Sequence, residues 1–316
     1  MKKIKVVFIG SGYMAGEHAK AFMDCKDFKI VGVYSKTYSN SLKFSKKYNI
    51  NSVSKSIKDL YEMNKPDLVV IAVPELNLYS VLSISFKFPW VILSEKPIGY
   101  NLKNALKIDK IYSKYKPTFF VSLNRRYYSS VQNMLKNLKK NHSDRIIQVF
   151  DTQDTDLARK FNHSKKVIDN WMYANSIHNI DLINILGRGK IINVKNVITY
   201  NKLNPKLVKS IIKFDTGDIA IYTGIWNMPG PWSISVSTTS KRYDLKPLEK
   251  LFIKDRNYRC KEKEIKLSLW DINFKPGLRM QVKELSKYFS NKKNHLPDFK
   301  QALKTQKLIS RIYKIQ

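Results

Sequence analysis

Apolar residues follow two rhythms along this chain, and the change from one to the other falls near residue 125. In the first part, short continuous apolar runs alternate with longer segments whose apolar residues recur every three or four positions. Val6-Val7-Phe8-Ile9 is the first run; Lys29 to Tyr34, Leu68-Val69-Val70-Ile71-Ala72-Val73, Trp90-Val91-Ile92-Leu93-Ser94 and Thr118 to Leu123 follow. Unbroken runs of this kind suit strands buried on both faces, the situation of a parallel sheet, and Pro74 stops the third. Segments 17–25, 40–48, 77–86 and 101–115 read as helices, the last with Leu102, Leu106, Ile108 and Ile111 on its apolar face. Strands alternating with helices of this length imply right-handed crossovers. They predict an α/β, doubly wound Rossmann sheet with ligands at the carboxyl ends of its strands.

Beyond Arg125 strand-like segments follow one another directly, over 145–150, 191–200, 207–214, 219–226 and 232–239. Asp215-Thr216-Gly217-Asp218 between two of them is a hairpin signal. The expected second half is an α+β domain on a largely antiparallel sheet, with 278–289 as its terminal helix. No repeat or low-complexity linker interrupts the chain. Two domains are therefore expected: a dinucleotide-binding Rossmann domain over 1–124, and a substrate-binding and oligomerisation domain over 125–316.

The first strand runs into Gly10-Ser11-Gly12-Tyr13-Met14-Ala15-Gly16, a G-x-G-x-x-G turn. Gly10 permits the tight turn, Gly12 lets backbone approach a pyrophosphate, and Gly16 lets helix and strand pack closely. The following helix, read as Glu17 to Cys25, supplies unpaired N–H groups and a positive dipole end, an anion site that needs no lysine. At the end of the second strand an acidic residue would select NAD by binding the ribose 2′-hydroxyl. Tyr34-Ser35-Lys36-Thr37 stands there instead, a hydroxyl followed by a cation, which favours NADP(H).

Composition narrows the partners. The chain has 316 residues, 43% of them hydrophobic, and a formal charge of +33. Its lysines are scattered from end to end with no zinc finger, RNA-recognition signature or basic helix, and Lys, Asn, Ile, Tyr and Ser are all heavily used. The charge reads as compositional drift, or alternatively as a field that attracts anionic substrates, rather than as a nucleic-acid surface. No apolar run reaches the ~18 residues of a membrane span. The basic opening Lys2-Lys3-Ile4-Lys5 precedes an apolar stretch too short for a signal peptide, since Gly10 ends it. A cytoplasmic protein is expected, with no membrane partner. Cys25 and Cys260 are far apart and the five histidines lack ligand spacing, so neither a disulfide nor a metal is expected.

Two places could carry proton chemistry. Glu95-Lys96-Pro97 ends the strand over 90–94, where the Lys96 ammonium could hydrogen-bond an oxygen undergoing oxidation or reduction; an ordinary loop lysine is the alternative. His178 lies in a largely buried helix with Gly187 as its C-cap, and shares a face with Asp181. It could donate or accept a proton near neutrality, or be a satisfied core histidine.

Taken together, the glycine turn, Glu95-Lys96-Pro97, Asn124-Arg125-Arg126-Tyr127 and the Ile177-His178-x-x-Asp181 helix resemble, in order and spacing, the glucose-fructose oxidoreductase, inositol dehydrogenase and rhizopine catabolism family (Gfo/Idh/MocA). Trp226 to Trp232 and Phe274-Lys275-Pro276-Gly277 look like the branch that acts in surface-polysaccharide or nucleotide-sugar pathways. The resemblance implies an NAD(P)-dependent enzyme that moves a hydride between nicotinamide and a secondary alcohol or ketone of a sugar or nucleotide sugar. Lys96 and His178 would be catalytic. The cofactor would be held by Gly10, Gly12, Tyr13, Met14, Gly16, Ser35, Lys36, Thr37, Pro74, Glu95 and Lys96. Substrate would meet Lys96, Arg125, Tyr127, Asn175 and His178, between the sheet edge and the second domain; Arg125, Arg126 and Tyr127, where the chain crosses between domains, could contact substrate or cofactor or equally form an interdomain ion pair. A homo-oligomer through the second domain's open sheet face is also implied. One departure is Ala174, where many relatives carry an aspartate four residues before the histidine; Asn175 or Asp169 could substitute. That departure motivates the alternative, a catalytically degenerate dinucleotide-binding sensor or assembly protein.

Overall fold

In the computed structural model residues 3–257 and 259–315 are described. Lys2, which opens the basic stretch noted above, lies outside the described residues. The chain divides into two compact units, Met1–Asn124 with Ile272–Leu303, and Arg125–Asp271 with Lys304–Gln316. The first cut falls after Asn124, but residues 272–303, assigned from sequence to the second domain, belong to the first.

Unit 1 runs β1 (Ile4–Ile9), α1 (Tyr13–Met23), β2 (Phe28–Tyr34), α2 (Tyr38–Tyr48), β3 (Ser52–Val53), α3 (Ile57–Asn64), β4 (Leu68–Ile71), α4 (Leu78–Ser85), β5 (Val91–Glu95), α5 (Leu102–Tyr115) and β6 (Phe119–Ser122). The sheet order is β3-β2-β1-β4-β5-β6, every pair parallel, so the direction of winding reverses beside β1. Val6 to Ile9 and Leu68 to Ile71 are fully buried, as the continuous runs require. Helix α1 starts at Tyr13, four residues before the position read from sequence, because the turn needs only Gly10 to Gly12.

Unit 2 contains α6 (Ser129–Leu138), β7 (Ile146–Gln153), α7 (Thr155–Lys160), α8 (Lys165–Ile168), a π-helical turn (Met172–Ser176) and α9 (Ile177–Leu186). Strands β8 (Ile191–Ile198), β9 (Leu207–Phe214), β10 (Ile219–Trp226), β11 (Ser233–Ser237), β12 (Lys241–Leu245), β13 (Leu251–Asp255) and β14 (Lys263–Ile265) follow. Its eight-stranded sheet has the order β14-β13-β12-β11-β7-β10-β9-β8. Only β7 and β10 pair in parallel, so the sheet is largely antiparallel. Along β7 alternate residues Ile147, Val149, Asp151 and Gln153 are buried. The last two carry that inward register on into polar side chains, which need partners there. Gly187 after α9 is extended, φ −79°; it is glycine because a Cβ would strike the Phe214 ring, rather than for a left-handed C-cap.

The chain ends with α10 (Leu269–Asn273), α11 (Leu278–Phe289) and α12 (Phe299–Tyr313). Helix α11 was expected to be terminal; α12 follows it. Within unit 1, α11 turns buried Leu278, Val282 and Leu285 inward and lies against α1. Arg279 pairs there with Asp24, and the Ser286 hydroxyl with Asp27. Tyr112 of α5 stacks on Phe299 at 4.2 Å between ring centroids. Among the described residues no helix is long and apolar enough to cross a membrane, and no three His, Cys, Asp or Glu side chains cluster as metal ligands.

Candidate functional site

In unit 1 the glycine turn closes against β4. Gly10 has φ +108°, and a Cβ on it would collide with the Ala72 carbonyl, so strain and space both demand glycine. Gly12 caps α1 in extended conformation with no side-chain cap, and a Cβ built on it would meet nothing within 4 Å. The first-turn N–H groups of α1 are thus uncapped by any side chain and stand beside open space, which fits a dinucleotide pyrophosphate. A Cβ on Gly16 would come 2.6 Å from the Tyr48 hydroxyl, so this glycine admits α2 rather than a strand. A cleft of about 310 Å³ opens at the turn, lined by Ser11, Gly12 and Tyr13 on one side and Asn40, Lys43 and Lys47 on the other. Cations also stand beside the helix N-terminus, Lys43 and Lys47 among them. Tyr13 is exposed, with Lys275 Nζ 5.3 Å from its ring centroid, and Met14 is half-buried.

Among the other expected cofactor contacts, the Ser35 hydroxyl is engaged, 2.9 Å from the Thr37 carbonyl and 2.8 Å from the Ser41 hydroxyl. Lys36, Thr37 and Pro74 are exposed. Glu95 and Lys96 leave β5 at its carboxyl end, and the Lys96–Pro97 bond is cis.

Sequence reading missed His18. It sits on α1, buried, with Nε2 2.7 Å from Glu95 Oε1. The helix bearing the anion site is thereby tied to the strand end bearing Lys96. Burial pushes the Glu95 carboxyl up, but the hydrogen bond and charge of His18, with Lys96 beside it, outweigh this and hold it below its ordinary value. The available signal was a histidine two residues past Gly16 among Ala15, Ala19 and Phe22.

In unit 2 the π-helical turn precedes His178, and π-turns of this kind often mark functional segments. His178 is 8% exposed, Ala174 is buried in the turn, and Asn175 is half-buried with its amide donating to Gln153 Oε1 at 3.0 Å. Asp169, the other candidate replacement for the aspartate, forms a surface ion pair with Lys165 at 3.0 Å. Asp181 is engaged by Arg126 at 2.6 and 2.8 Å and by the Thr305 hydroxyl at 2.8 Å. That ion pair lies within unit 2 and is not interdomain. Tyr127 is buried.

Next to His178, Asn179 belongs to a polar network centred on Asp151, which has no exposed surface. Asp151 accepts from Gln153 Nε2 at 2.6 Å, Asn179 Nδ2 at 2.9 Å and the Tyr222 hydroxyl at 2.6 Å. The Tyr313 hydroxyl lies 2.8 Å beyond Tyr222. Burial raises the Asp151 carboxyl above its ordinary value, an effect these hydrogen bonds and Arg125 only partly offset. Tyr222 is pushed far up by burial and by that carboxylate. Lys96 and His178 stand in different units, each described above in its own surroundings.

A parallel sheet with an uncapped glycine turn at its switch point defines the class: a dinucleotide-binding Rossmann domain. Residues 4–123 match the family described as oxidoreductase family, NAD-binding Rossmann fold (Gfo/Idh/MocA), and they form a Rossmann domain of that family. Solved structures resemble the chain along nearly its whole length. A dehydrogenase from Chromobacterium violaceum is 15% identical with a TM-score of 0.84, covering 99% of this chain and 95% of that one. An oxidoreductase from Thermotoga maritima is 18% identical with a TM-score of 0.81, covering 99% and 96%. A UDP-N-acetylglucosamine 3-dehydrogenase from Acidithiobacillus ferrooxidans is 12% identical with a TM-score of 0.78, covering 99% and 98%. At these identities the likeness establishes the fold. No curated protein matches the sequence.

Proposed function

We propose that this protein exchanges a hydride between NADP(H) and a secondary alcohol or ketone of a sugar or nucleotide sugar, as part of surface-polysaccharide synthesis. The observation that carries the reading is the Gly12 turn, where an uncapped helix N-terminus faces open space on the sheet that also carries Lys96. The dinucleotide, when bound, supplies hydride exchange. Gly10, Gly12 and the first turn of α1 hold its pyrophosphate, with Tyr13 and Met14 beside it. Ser35, Lys36 and Thr37 meet its ribose, and the absence of an acid there accommodates a 2′-phosphate. Lys96, whose turn is anchored by the pair of Glu95 with His18, holds a proton at the reacting oxygen. His178 passes that same proton, the one the alcohol and ketone differ by besides the hydride, to or from the site, and Arg125, Tyr127 and Asn175 contact substrate.

Exposed apolar residues on unit 2 strands, Ile146 and Phe150 of β7 and Ile192, Val197 and Ile198 of β8, support a homo-oligomer formed through this sheet. Light scattering on the purified protein tests that point. Ala174, together with the engagement of Asp169 by Lys165, favours a second reading, a dinucleotide-binding sensor without turnover. Cofactor fluorescence with a panel of sugars and nucleotide sugars separates the two. Oxidation of NADPH or reduction of NADP by any member supports the enzyme, and cofactor binding without exchange across the panel overturns it.

A further inference from the structure

We infer that the Arg125 guanidinium of unit 2 binds an anionic group on the substrate, so that the sugar handled here carries a carboxylate or a phosphate. This rests on the reading of unit 2 as the substrate-binding half, and it adds a chemical class to that reading.

Two other arginines of this unit show what a charge-paired guanidinium looks like. Arg126 grips Asp181 through two nitrogens. Arg188 is paired with Asp218. Arg125 differs from both. Its Cζ lies 4.0 Å from the centroid of the Trp232 ring, so one face of the cation is covered by indole. Its Nη1 donates to Asn179 Oδ1 at 3.1 Å, and the Tyr128 hydroxyl is its other hydrogen-bonding neighbour. Both partners are neutral, and among the described residues no carboxylate pairs with it.

Its negative charge of reference is Asp151, one residue removed. Asn179 receives from Arg125 on its oxygen and donates to Asp151 Oδ1 from its nitrogen. Asp151 is itself surrounded by Gln153, Asn179 and Tyr222, so it makes no direct ion pair with the cation. Beside the guanidinium, the buried Nε1 of Trp232 has no acceptor. A half-buried cation and a buried N–H, adjacent and both short of acceptors, are costly when left alone. Arginine cannot relieve this by losing its proton. A ligand with several acceptor oxygens and a negative charge relieves it, and a planar guanidinium with one face covered still offers edge N–H groups for bidentate contact.

The anion has two possible sources, a carboxylate on the sugar ring or the diphosphate of a nucleotide sugar. Calorimetric titration of the full-length protein with D-glucose, D-glucuronate and UDP-glucose separates them. At least one anionic probe is expected to bind about tenfold or more tighter than glucose. An advantage for glucuronate assigns the ring carboxylate, and an advantage confined to UDP-glucose assigns the diphosphate. Arg125→Gln should remove most of that advantage, and Arg125→Lys should restore part of it. Trp232→Phe, which keeps the ring and removes the N–H, should weaken the anionic probe alone. The inference is overturned if neither anionic probe outbinds glucose, or if Arg125→Gln keeps the full advantage. Should Arg125→Gln not fold, the wild-type preference and Trp232→Phe decide. NADPH fluorescence and hydride exchange are followed separately. Anion preference without any exchange would sink the oxidoreductase reading alone, and exchange with neutral sugars without anion preference would sink this inference alone.

Discussion

Two carboxylates withdrawn from water, Glu95 of unit 1 and Asp151 of unit 2, behave in opposite ways. Glu95 of unit 1 has 11% of its side chain exposed and Asp151 of unit 2 has no exposed surface, so burial pushes both upward. Glu95 nonetheless ends below its ordinary value and Asp151 above it. The difference lies in the partners. Glu95 faces a histidine at 2.7 Å with a lysine next in the chain. Asp151 takes its bonds from an amide on Gln153, an amide on Asn179 and the phenol of Tyr222. Neutral donors soften desolvation, whereas an ionic partner reverses it. The cofactor-binding unit therefore fixes a lasting negative charge beside its lysine. The other unit keeps a carboxylate whose charge depends on its cationic surroundings, Arg125 foremost.

The hardest blow to this contrast is His18→Leu. Removing the hydrogen-bonding partner of a buried acceptor costs about 1–3 kcal/mol, and more where the group left behind is a carboxylate. The expected result is a loss of that order in urea unfolding near neutral pH. The sign of its pH dependence follows from Glu95. A folded pKa below the unfolded one stabilises above the unfolded value and is lost as pH falls through the folded value. The gap between wild type and variant should therefore narrow below about pH 4, where carboxylates protonate. A gap constant across that range would mean that Glu95 carries no charge to strand.

Next in size is Gly12→Val, which probes how unit 1 binds a ligand anion by backbone while unit 2 uses a guanidinium. A Cβ there meets no protein atom within 4 Å, so thermal stability should barely change. NADPH affinity should fall about a hundredfold, which corresponds to about 2.7 kcal/mol. Unchanged affinity in fluorescence titration would show that the open space at Gly12 is not the pyrophosphate's.

Much of this could be read before any coordinates. The continuous runs and the glycine turn announce a parallel sheet and its ligand edge because both signals are local. What stayed hidden depends on partners distant in sequence. Leu278, Val282 and Leu285 advertise an apolar helix face but not that α1 of the first unit receives it. Helix α12 was missed although its buried Phe299, Ala302, Leu303, Ile309 and Ile312 recur at helical spacing. Strands β12 and β14 were missed because Lys241, Arg242, Lys263 and Glu264 give them the look of loops. His18 and Asp151 are ordinary residues in their own windows. They acquire meaning only through Glu95, 77 positions away, and Tyr222, 71 positions away.

Tyr222→Phe is the milder test on the Asp151 side. It deletes one neutral donor from a buried carboxyl at a cost of about 1–3 kcal/mol. A folded pKa raised above the unfolded one leaves stability intact below the unfolded value and drains it as pH rises through the folded value. Losing the phenol should raise the Asp151 pKa further, so the variant should fall further behind wild type as pH climbs from about 4 towards neutrality. Both gaps widen as pH rises, but the one for His18→Leu is complete once the unfolded carboxylate range is passed, whereas the one for Tyr222→Phe keeps growing above that range because the folded Asp151 pKa lies above its ordinary value. A Tyr222→Phe gap that is complete at the same pH as the His18→Leu gap would abolish the contrast between the two carboxylates.

The smallest expected effect sharpens the electrostatic side of unit 1. Lys36 is exposed at the end of β2, where the Ser35 hydroxyl is already engaged by Thr37 and Ser41, so the cation rather than the hydroxyl should discriminate between cofactors. Lys36→Asp should repel a 2′-phosphate and accept a free 2′-hydroxyl, shifting the ratio of NADP to NAD affinities about tenfold towards NAD, or about 1.4 kcal/mol. An exposed ion contact is screened by salt, so the shift should shrink as ionic strength rises past the point where the Debye length is about 8 Å. The Glu95 and His18 pair, largely shielded from water, should show no such dependence in the stability of the same variant. A ratio that does not move would leave Lys43 and Lys47, on the far side of the cleft from Gly12, as the cations that meet the phosphate.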